Sequence, residues 1–121
     1  MNVFRDQESF MKSCGQTVDG FNKDQFRLYV DLIAEETTEL TDAMAEDNHV
    51  EVLDALIDTL VVTIGALHSL GVDAEGAWKE VMRSNFSKVD KETGMVRKRE
   101  DGKVLKPIDF SPPDLAPFLS K

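Results

Sequence analysis

Apolar side chains recur at helical spacing over four stretches of the chain, separated by short polar or glycine-containing segments. Gly15 and Gly71 are placed to end the first and third stretches. The polar connection Ala45–His49 is short, so the two long helices on either side of it are predicted to be antiparallel. The four predicted helices cover Val3–Cys14, Asp24–Glu46, Val50–Leu70 and Ala74–Asn85.

The chain beyond Asn85 has a different pattern. Turn signals at Thr93-Gly94 and Asp101-Gly102 adjoin short extended runs, and three prolines follow. This segment is predicted to form an ordered arm or a small hairpin. We therefore predict one all-α domain over residues 1–121: a bundle of about four helices over about 1–85, with an extended C-terminal arm over about 86–121.

Length and composition narrow the class of protein. With 121 residues, 41% hydrophobic and 31% charged, the chain can bury a core and is not a disordered acidic tail. The single cysteine, Cys14, excludes a disulfide framework and is expected in the core. The N-terminus is charged from its fifth residue, and the apolar stretch Thr59–Leu70 is far shorter than a membrane span of about twenty residues. We expect a soluble, cytoplasmic protein.

The net charge of −9 is distributed unevenly. Residues 83–106 carry eight bases and four acids, whereas the other 97 residues carry six bases and nineteen acids. An acidic body argues against general nucleic-acid binding but suits a site where metal cations bind acids and bases hold an anionic ligand. The alternative is a solvated acidic surface with a charged tail. The candidates for phosphate contacts are Lys88, Lys103 and Lys106, and those for nucleotide or helix-end contacts are Arg83 and Asn85.

Carboxylates of the first long helix occupy positions where apolar residues belong. With about 100° per residue, the apolar side chains of this helix occupy one arc of its circumference, with Leu28 at one edge and Met44 at the other. Glu36 falls in the middle of this arc, Glu39 falls within it, and Glu35 lies at its edge. Two or three acids therefore point towards the expected core.

The second long helix repeats this arrangement. Glu51, Asp54 and Asp58 lie at i, i+3 and i+7, on one side of the helix. Asp58 is also flanked by apolar residues on both sides. Because the two helices are predicted to pack together, their acidic groups can face each other.

Facing carboxylates need compensation, because ionised groups in a low-dielectric space repel and lose hydration. Protonation, pairing with Arg or Lys, or divalent cations would supply it. Arg27 is the only Arg or Lys within either predicted helix, and it points outward. Ligands that are all carboxylates favour Mg²⁺ or Mn²⁺ over zinc. The alternative is that the acids line a solvated groove.

Two motifs carry a family resemblance: Glu35–Glu39 reads EExxE and Glu51–Asp54 reads ExxD. Together they resemble the metal-binding signature of the all-α nucleotide pyrophosphohydrolases, which include MazG proteins, dimeric dUTPases and phosphoribosyl-ATP pyrophosphohydrolases. Further segments resemble the last of these branches, so that the likeness covers most of residues 24–115. These segments are Leu53–Gly65 with Leu70–Val72, Arg83–Lys88, Asp101–Lys106 and Phe110–Leu115.

The resemblance implies Mg²⁺-dependent hydrolysis of a nucleoside triphosphate between the α and β phosphates, giving the monophosphate and pyrophosphate. Asp58 precedes a Val-rich run as the motif aspartate does in several relatives, but Ala55 stands three residues before it. The register on Glu51 and Asp54 keeps both acids, and Asp58 becomes an additional acid. By position, the metal ligands are Glu36, Glu39, Glu51 and Asp54, and the catalytic residues are Glu39 with Glu35 or Asp58 acting on the water.

The predicted helix Val50–Leu70 is apolar on more sides than one small subunit can cover, so we expect a homodimer or homotetramer. The leading hypothesis is a (d)NTP pyrophosphohydrolase. The alternatives are a dUTP or phosphoribosyl-ATP hydrolase of the same superfamily, or a non-enzymatic helical module that binds divalent ions or a partner protein. No nucleic-acid or membrane partner is expected.

Overall fold

A computed structural model describes residues 1–121 and contains four α-helices and no β-strand. The all-α prediction is confirmed, and every predicted helix end lies within one residue of the observed one. None of the helices combines the length and apolar character that a membrane span needs. The helices are α1 (Val3–Ser13), α2 (Lys23–Ala45), α3 (His49–Leu70) and α4 (Ala74–Phe86), followed by a short 3₁₀ helix, Ala116–Phe118.

Asparagine side chains begin the first three helices. The side-chain oxygen of Asn2 accepts hydrogen bonds from the backbone of α1, that of Asn22 from α2, and that of Asn48 from α3. Each satisfies an N–H group that has no partner within its helix. At the other end of α3, Gly71 adopts a left-handed conformation with φ 75°, which glycine tolerates without steric cost.

The chain divides into two compact units. Unit 1 comprises Met1–Ala74 and Leu119–Lys121, and unit 2 comprises Glu75–Phe118. The helices α1, α2 and α3 belong to unit 1, whereas α4 groups with the arm. The prediction of a single domain with a helical core over about 1–85 stays a prediction.

The core of unit 1 lies where α1, α2, α3 and the loop after α1 meet. Met11, Val18, Tyr29 and Ala66 are buried there. The hydroxyl of Tyr29 donates to Gln16 Oε1 at 2.6 Å, so its one polar atom is satisfied. The ring of Tyr29 therefore packs in the apolar core while its hydroxyl group keeps a hydrogen-bond partner.

Gln25 ties the loop after α1 to the two long helices. Its amide nitrogen donates to Thr17 O at 2.7 Å and to Ser69 Oγ at 2.9 Å, and its oxygen accepts from Thr17 N at 2.9 Å. His68, buried near the end of α3, donates from Nε2 to the carbonyl of Phe4 at 2.8 Å. These bonds fix α1 and the loop after it against the C-terminal end of α3.

The buried arc of α2 is narrower than predicted. Its two edges, Leu28 and Met44, are 50% and 64% exposed. Cys14 is also exposed, so its predicted core position is wrong. It follows the last residue of α1, where the chain already turns towards Gly15.

Burial along α3 is concentrated in its C-terminal half, and in the N-terminal half only Ala55 is buried. Residues 64–66, 68 and 69 are buried in the C-terminal half. The N-terminal half instead presents apolar side chains with 46–62% exposure: Leu53, Leu56, Ile57 and Leu60. One chain therefore leaves part of this apolar helix uncovered, as the sequence predicted.

The arm is ordered by two isolated antiparallel bridges rather than by a hairpin of strands. Val89 pairs with Val96, and Lys98 pairs with Val104. Both predicted turns are present, since Gly94 has φ 70° and the backbone N–H of Gly102 donates to Arg99 O at 2.9 Å. The prediction of an ordered arm holds without any regular strand.

Replacing Gly65 by alanine tests how closely α2 and α3 approach. A Cβ atom at Gly65 would overlap the ring of Tyr29, so we expect Gly65→Ala to lower the free energy of unfolding by about 1–3 kcal/mol, as for other overpacked cores. Urea titration followed by circular dichroism measures this change. Gly20→Ala is the control, because a Cβ there meets nothing within 4 Å; equal losses for both variants would contradict the close approach.

Candidate active site

Acidic side chains from α2 and α3 meet in unit 1. The connection between these helices, residues 46–48, is short, and α2 and α3 form the main helix pair of the unit. The C-terminal half of α2 therefore lies beside the N-terminal half of α3. We call the four carboxylates that interact there the acidic cluster: Glu36, Glu39, Asp54 and Asp58.

Glu36 is the most constrained member of the acidic cluster. Its Oε2 atom is buried and has no hydrogen-bond partner. The pKa of Glu36 is raised to about 7, mainly by burial and further by the hydrogen bond to Glu39 and the charges of Glu39, Asp58 and Asp54. The carboxylate of Glu36 thus points inward, as predicted, and its ionised form is disfavoured there.

Asp58 faces the same group of charges from α3. Burial raises its pKa above the ordinary value, and the charges of Asp54 and Glu39 add to the shift. No basic side chain contributes to the environment of Asp58 or Glu36. Of the three ways to compensate these charges, pairing with Arg or Lys is therefore not present in this structure.

Beside the cluster lies an open acidic groove of about 340 Å³ between α2 and α3. Glu39 and Asp54 belong to both the cluster and the groove. The residues that line it are Glu39, Asp42, Ala43, Glu46, Glu51, Asp54 and Ala55. Asp42 and Glu46 were not predicted as site residues, although they follow Glu39 at i+3 and i+7, the same spacing that links Glu51, Asp54 and Asp58.

The remaining predicted acid, Glu35, is exposed on α2. Neither Glu36 nor Asp58 owes its raised pKa to Glu35. Glu51 lines the acidic groove but also contributes to neither shift. The structure therefore brings five of the six predicted acids to one region of the α2–α3 pair and leaves Glu35 at its margin.

The donor atoms in this region suit a hard divalent cation. They are carboxylate oxygens, and the buried Oε2 of Glu36 has no protein partner. No three Asp, Glu, His or Cys side chains are arranged as a complete metal-ligand set. The residues fit Mg²⁺ or Mn²⁺ by donor chemistry, and substrate oxygens or water would complete the coordination.

The predicted substrate-binding residues lie in unit 2. Lys88 and Lys106 share a pocket of about 670 Å³ on the arm, here called the arm pocket. Lys103 is exposed and does not line it. The lining residues are Lys88, Asp90, Lys91, Glu92, Arg97, Leu105, Lys106, Pro107, Ile108 and Asp109.

Arg83 is engaged within unit 2. Its guanidinium donates to both carboxylate oxygens of Glu80, at 2.7 and 2.9 Å, and to the carbonyl of Pro112 at 3.2 Å. Glu80 also accepts from the backbone N–H of Asp114 at 2.7 Å. These bonds lower the pKa of Glu80 to about 2, with Arg83 the larger cause. Arg83 thus ties the arm to α4, while Asn85 accepts a hydrogen bond from Lys88 at 3.2 Å.

Comparison with known proteins gives this arrangement a family. The family model described as phosphoribosyl-ATP pyrophosphohydrolase matches residues 7–85, well over half of the chain. The protein belongs to this family. The family lies in the MazG-like all-α pyrophosphohydrolase superfamily, as the EExxE and ExxD motifs indicated. No curated protein matches the chain.

Family membership settles the reaction class. The protein is a pyrophosphohydrolase, a hydrolase acting on acid anhydrides, and its family depends on a divalent metal. The alternative of a non-enzymatic helical module is therefore wrong. The matched residues include all six predicted acids, whereas Lys88, Lys103 and Lys106 lie beyond residue 85.

The raised pKa of Glu36 predicts a particular pH dependence of stability in metal-free protein. Ionising Glu36 costs more in the folded than in the unfolded chain, so stability should fall as pH rises from its ordinary pKa of 4.5 through about 7. Glu36→Gln should remove most of this fall, because the amide does not ionise. Melting temperatures across this pH range in EDTA measure it. Glu35→Gln, one residue away and exposed, should leave the fall unchanged; the reverse ranking would contradict the assignment.

Proposed function

We propose that the protein is a Mg²⁺-dependent nucleoside triphosphate pyrophosphohydrolase that cleaves a (d)NTP between its α and β phosphates, producing the monophosphate and pyrophosphate. The observation that carries this proposal is the convergence of four carboxylates between α2 and α3 without a basic partner. Family membership supports hydrolysis of the phosphoanhydride bond.

Glu36, Glu39, Glu51 and Asp54 are the proposed metal ligands. Glu39 and Asp54 have the strongest support, because they interact with the acidic cluster and also line the acidic groove. Glu51 reaches the groove from the first turn of α3, where Asn48 caps the helix. A bound Mg²⁺ would neutralise these carboxylates and stabilise the charge that develops on the phosphate oxygens.

A carboxylate outside this ligand set orients or deprotonates the attacking water. Asp58 is the better supported of the two candidates, because it is half-buried and interacts with Asp54 and Glu39. Glu35 is the alternative and is exposed. As the water oxygen bonds to phosphorus, its proton passes to the carboxylate, the bridging P–O bond breaks, and pyrophosphate departs with the electron pair.

Substrate contacts are proposed for the basic residues of unit 2: Arg83, Asn85, Lys88, Lys103 and Lys106. Phosphoribosyl-ATP is the second candidate substrate, because the matching family model carries that name. The match ends at residue 85 and so does not include the lysines proposed to hold phosphate. A dUTP hydrolase remains the further alternative within the superfamily, since no base-specific contact follows from these residues.

A nucleotide panel tests the proposal. The protein is incubated with the common NTPs and dNTPs, dUTP and phosphoribosyl-ATP, with Mg²⁺, Mn²⁺ or EDTA, and released pyrophosphate and monophosphate are measured. Turnover of one or more (d)NTPs with Mg²⁺, lost in EDTA, is the expected result. Turnover of phosphoribosyl-ATP alone would replace the proposed substrate, and orthophosphate as the product would contradict the bond assigned.

Glu39→Gln should reduce turnover to below about a tenth of wild type, because it removes a charge shared by the acidic cluster and the groove. The side chain is exposed, so the fold should be retained, as judged by circular dichroism. Asp31→Asn, an exposed acid elsewhere on α2, is the control and should keep wild-type activity. Activity of Glu39→Gln above a tenth of wild type would refute its role.

A homo-oligomer is the proposed state of the enzyme. Four apolar residues of α3 lie at i, i+3, i+4 and i+7 and are about half exposed, so they form one stripe that a single chain leaves open to water: Leu53, Leu56, Ile57 and Leu60. Exposed apolar stripes of this kind mark association surfaces. A second copy of the chain, as a homodimer or within a homotetramer, is the proposed occupant.

Ile57→Lys should shift the protein to a monomer, because a charge placed in this stripe would lose hydration on association without gaining a partner. Size-exclusion chromatography with light scattering gives the mass directly. Thr38→Lys adds the same charge at an exposed position of α2, away from the stripe, and should not change the mass. A monomeric wild-type protein would contradict the proposed assembly.

A further inference from the structure

We propose that Phe110 is a positioning residue that holds Lys88 and Lys106 as a binding site for a polyphosphate group. The ligand is a diphosphate, either the β,γ-phosphates of a nucleotide or free pyrophosphate. The inference rests on the proposed function for the identity of its substrate. It adds a residue, Phe110, and a physical role that neither the motifs nor the family match assigns.

Two ammonium groups lie over one aromatic ring. Lys106 Nζ is 4.9 Å and Lys88 Nζ is 5.9 Å from the centroid of Phe110. Both distances are within the range in which a ring face attracts a cation. The two lysines come from different parts of unit 2, one just after α4 and one 18 residues later, so the ring is what brings their charges together.

The other bases of the arm pocket are neutralised. Lys91 pairs with Asp109 at 3.1 Å, and Arg97 pairs with Asp90 at 2.5 Å. Lys88 and Lys106 pair with no carboxylate, and Lys88 has only the neutral amide of Asn85 as a hydrogen-bond partner, at 3.2 Å. Lys88 and Lys106 are therefore the bases of this pocket without a carboxylate partner, and Glu92, the third lining acid, forms an ion pair with neither.

An aromatic ring can hold the two lysines without neutralising them, which a carboxylate could not do. A carboxylate would hold the lysines but cancel their charge, whereas the ring is uncharged and leaves both ammonium groups with their full charge. Each ammonium group also keeps N–H groups for an incoming ligand, since lysine has three donors. The arrangement restricts two flexible side chains in advance of binding, which reduces the entropy lost when an anion binds.

The backbone around Phe110 is itself held in place. The N–H of Phe110 donates to Pro107 O at 3.0 Å, and that of Ser111 donates to Ser87 Oγ at 3.0 Å. Ser87 in turn donates to Ser84 O at 2.6 Å, within the last turn of α4. The ring is therefore fixed relative to the end of α4, next to which Lys88 lies.

The charge and size of the site select the class of ligand. Two ammonium groups beside a pocket of about 670 Å³ match an anion with several charges spread over two phosphates better than a single phosphate. Lys103, which does not lie over the ring, is expected to contribute less. Nucleoside triphosphate and pyrophosphate share the required diphosphate, and a monophosphate lacks it.

Calorimetric titration of the full-length protein with inorganic pyrophosphate, in EDTA and low salt, tests the site without metal or turnover. Lys88→Gln and Lys106→Gln should each raise Kd about tenfold, since each removes a charge-assisted contact. Phe110→Leu keeps apolar volume but removes the ring, and should raise Kd about threefold to tenfold. Phe110→Tyr keeps a ring face and should bind as wild type does. Lys98→Gln, another exposed lysine of the arm, is the matched control and should not change Kd.

The outcomes separate the possibilities. Unchanged Kd in Lys88→Gln and Lys106→Gln would overturn the site, and unchanged Kd in Phe110→Leu would overturn the role of the ring. A nucleoside triphosphate that binds with the same variant pattern identifies the substrate as the source of the diphosphate. Binding of pyrophosphate alone identifies the product, and equal binding of a monophosphate would overturn the ligand class. Failure of the proposed function would instead appear as absent pyrophosphate release with Mg²⁺, while this binding persisted.

Discussion

Mutual repulsion among the carboxylates between α2 and α3 is the constraint on which the active region depends. Glu36 is half-buried on α2, its buried Oε2 atom has no hydrogen-bond donor, and the charged groups that act on it are all acidic. Such an arrangement costs stability in the isolated chain. It becomes favourable when a divalent cation neutralises the group, and a family of divalent-metal-dependent hydrolases is where the chain belongs.

The fold holds this unfavourable region together by firm packing elsewhere. At the far end of the α2–α3 pair, Gly65 lets Tyr29 pack directly against α3. Gly71 lies close to the backbone of Gly20 and Phe21, because a Cβ atom at Gly71 would be within 2.9 Å of their backbone atoms. Gln25 and Ser69 add hydrogen bonds there. The stable contacts and the strained acids thus lie at opposite ends of one helix pair, a common division between scaffold and site.

Much of this could be predicted from the sequence. The helices were found to within one residue because their apolar periodicity is long and is interrupted by glycines and short polar segments. The inward position of Glu36 followed from the same periodicity. Exposure could not be predicted as well: Leu28 and Met44 have the right phase for burial, yet no element of the chain covers them. The helical periodicity shows on which side of a helix a residue lies, but only the packing of other elements decides whether that side is covered.

The contacts that were missed are those between distant segments. Asp42 and Glu46 repeat the spacing of the acids on α3, and this signal was in the sequence. Phe110 carried none, because an aromatic residue among prolines gives no indication that lysines 22 and four positions away will lie over its ring. The grouping of α4 with the arm likewise depends on bonds between distant residues, from Arg83 to Pro112 and from Asp114 to Glu80.

The choice of asparagine before each of the first three helices has a consequence for a chain with 23 acids. Aspartate would serve equally well as an acceptor when ionised, but its contribution would change on titration. An amide keeps the same hydrogen bonds at every physiological proton concentration. Acidification therefore alters the charge of Glu36 in the acidic cluster while the starts of these helices remain anchored, so this group can titrate without unwinding the helices that carry it.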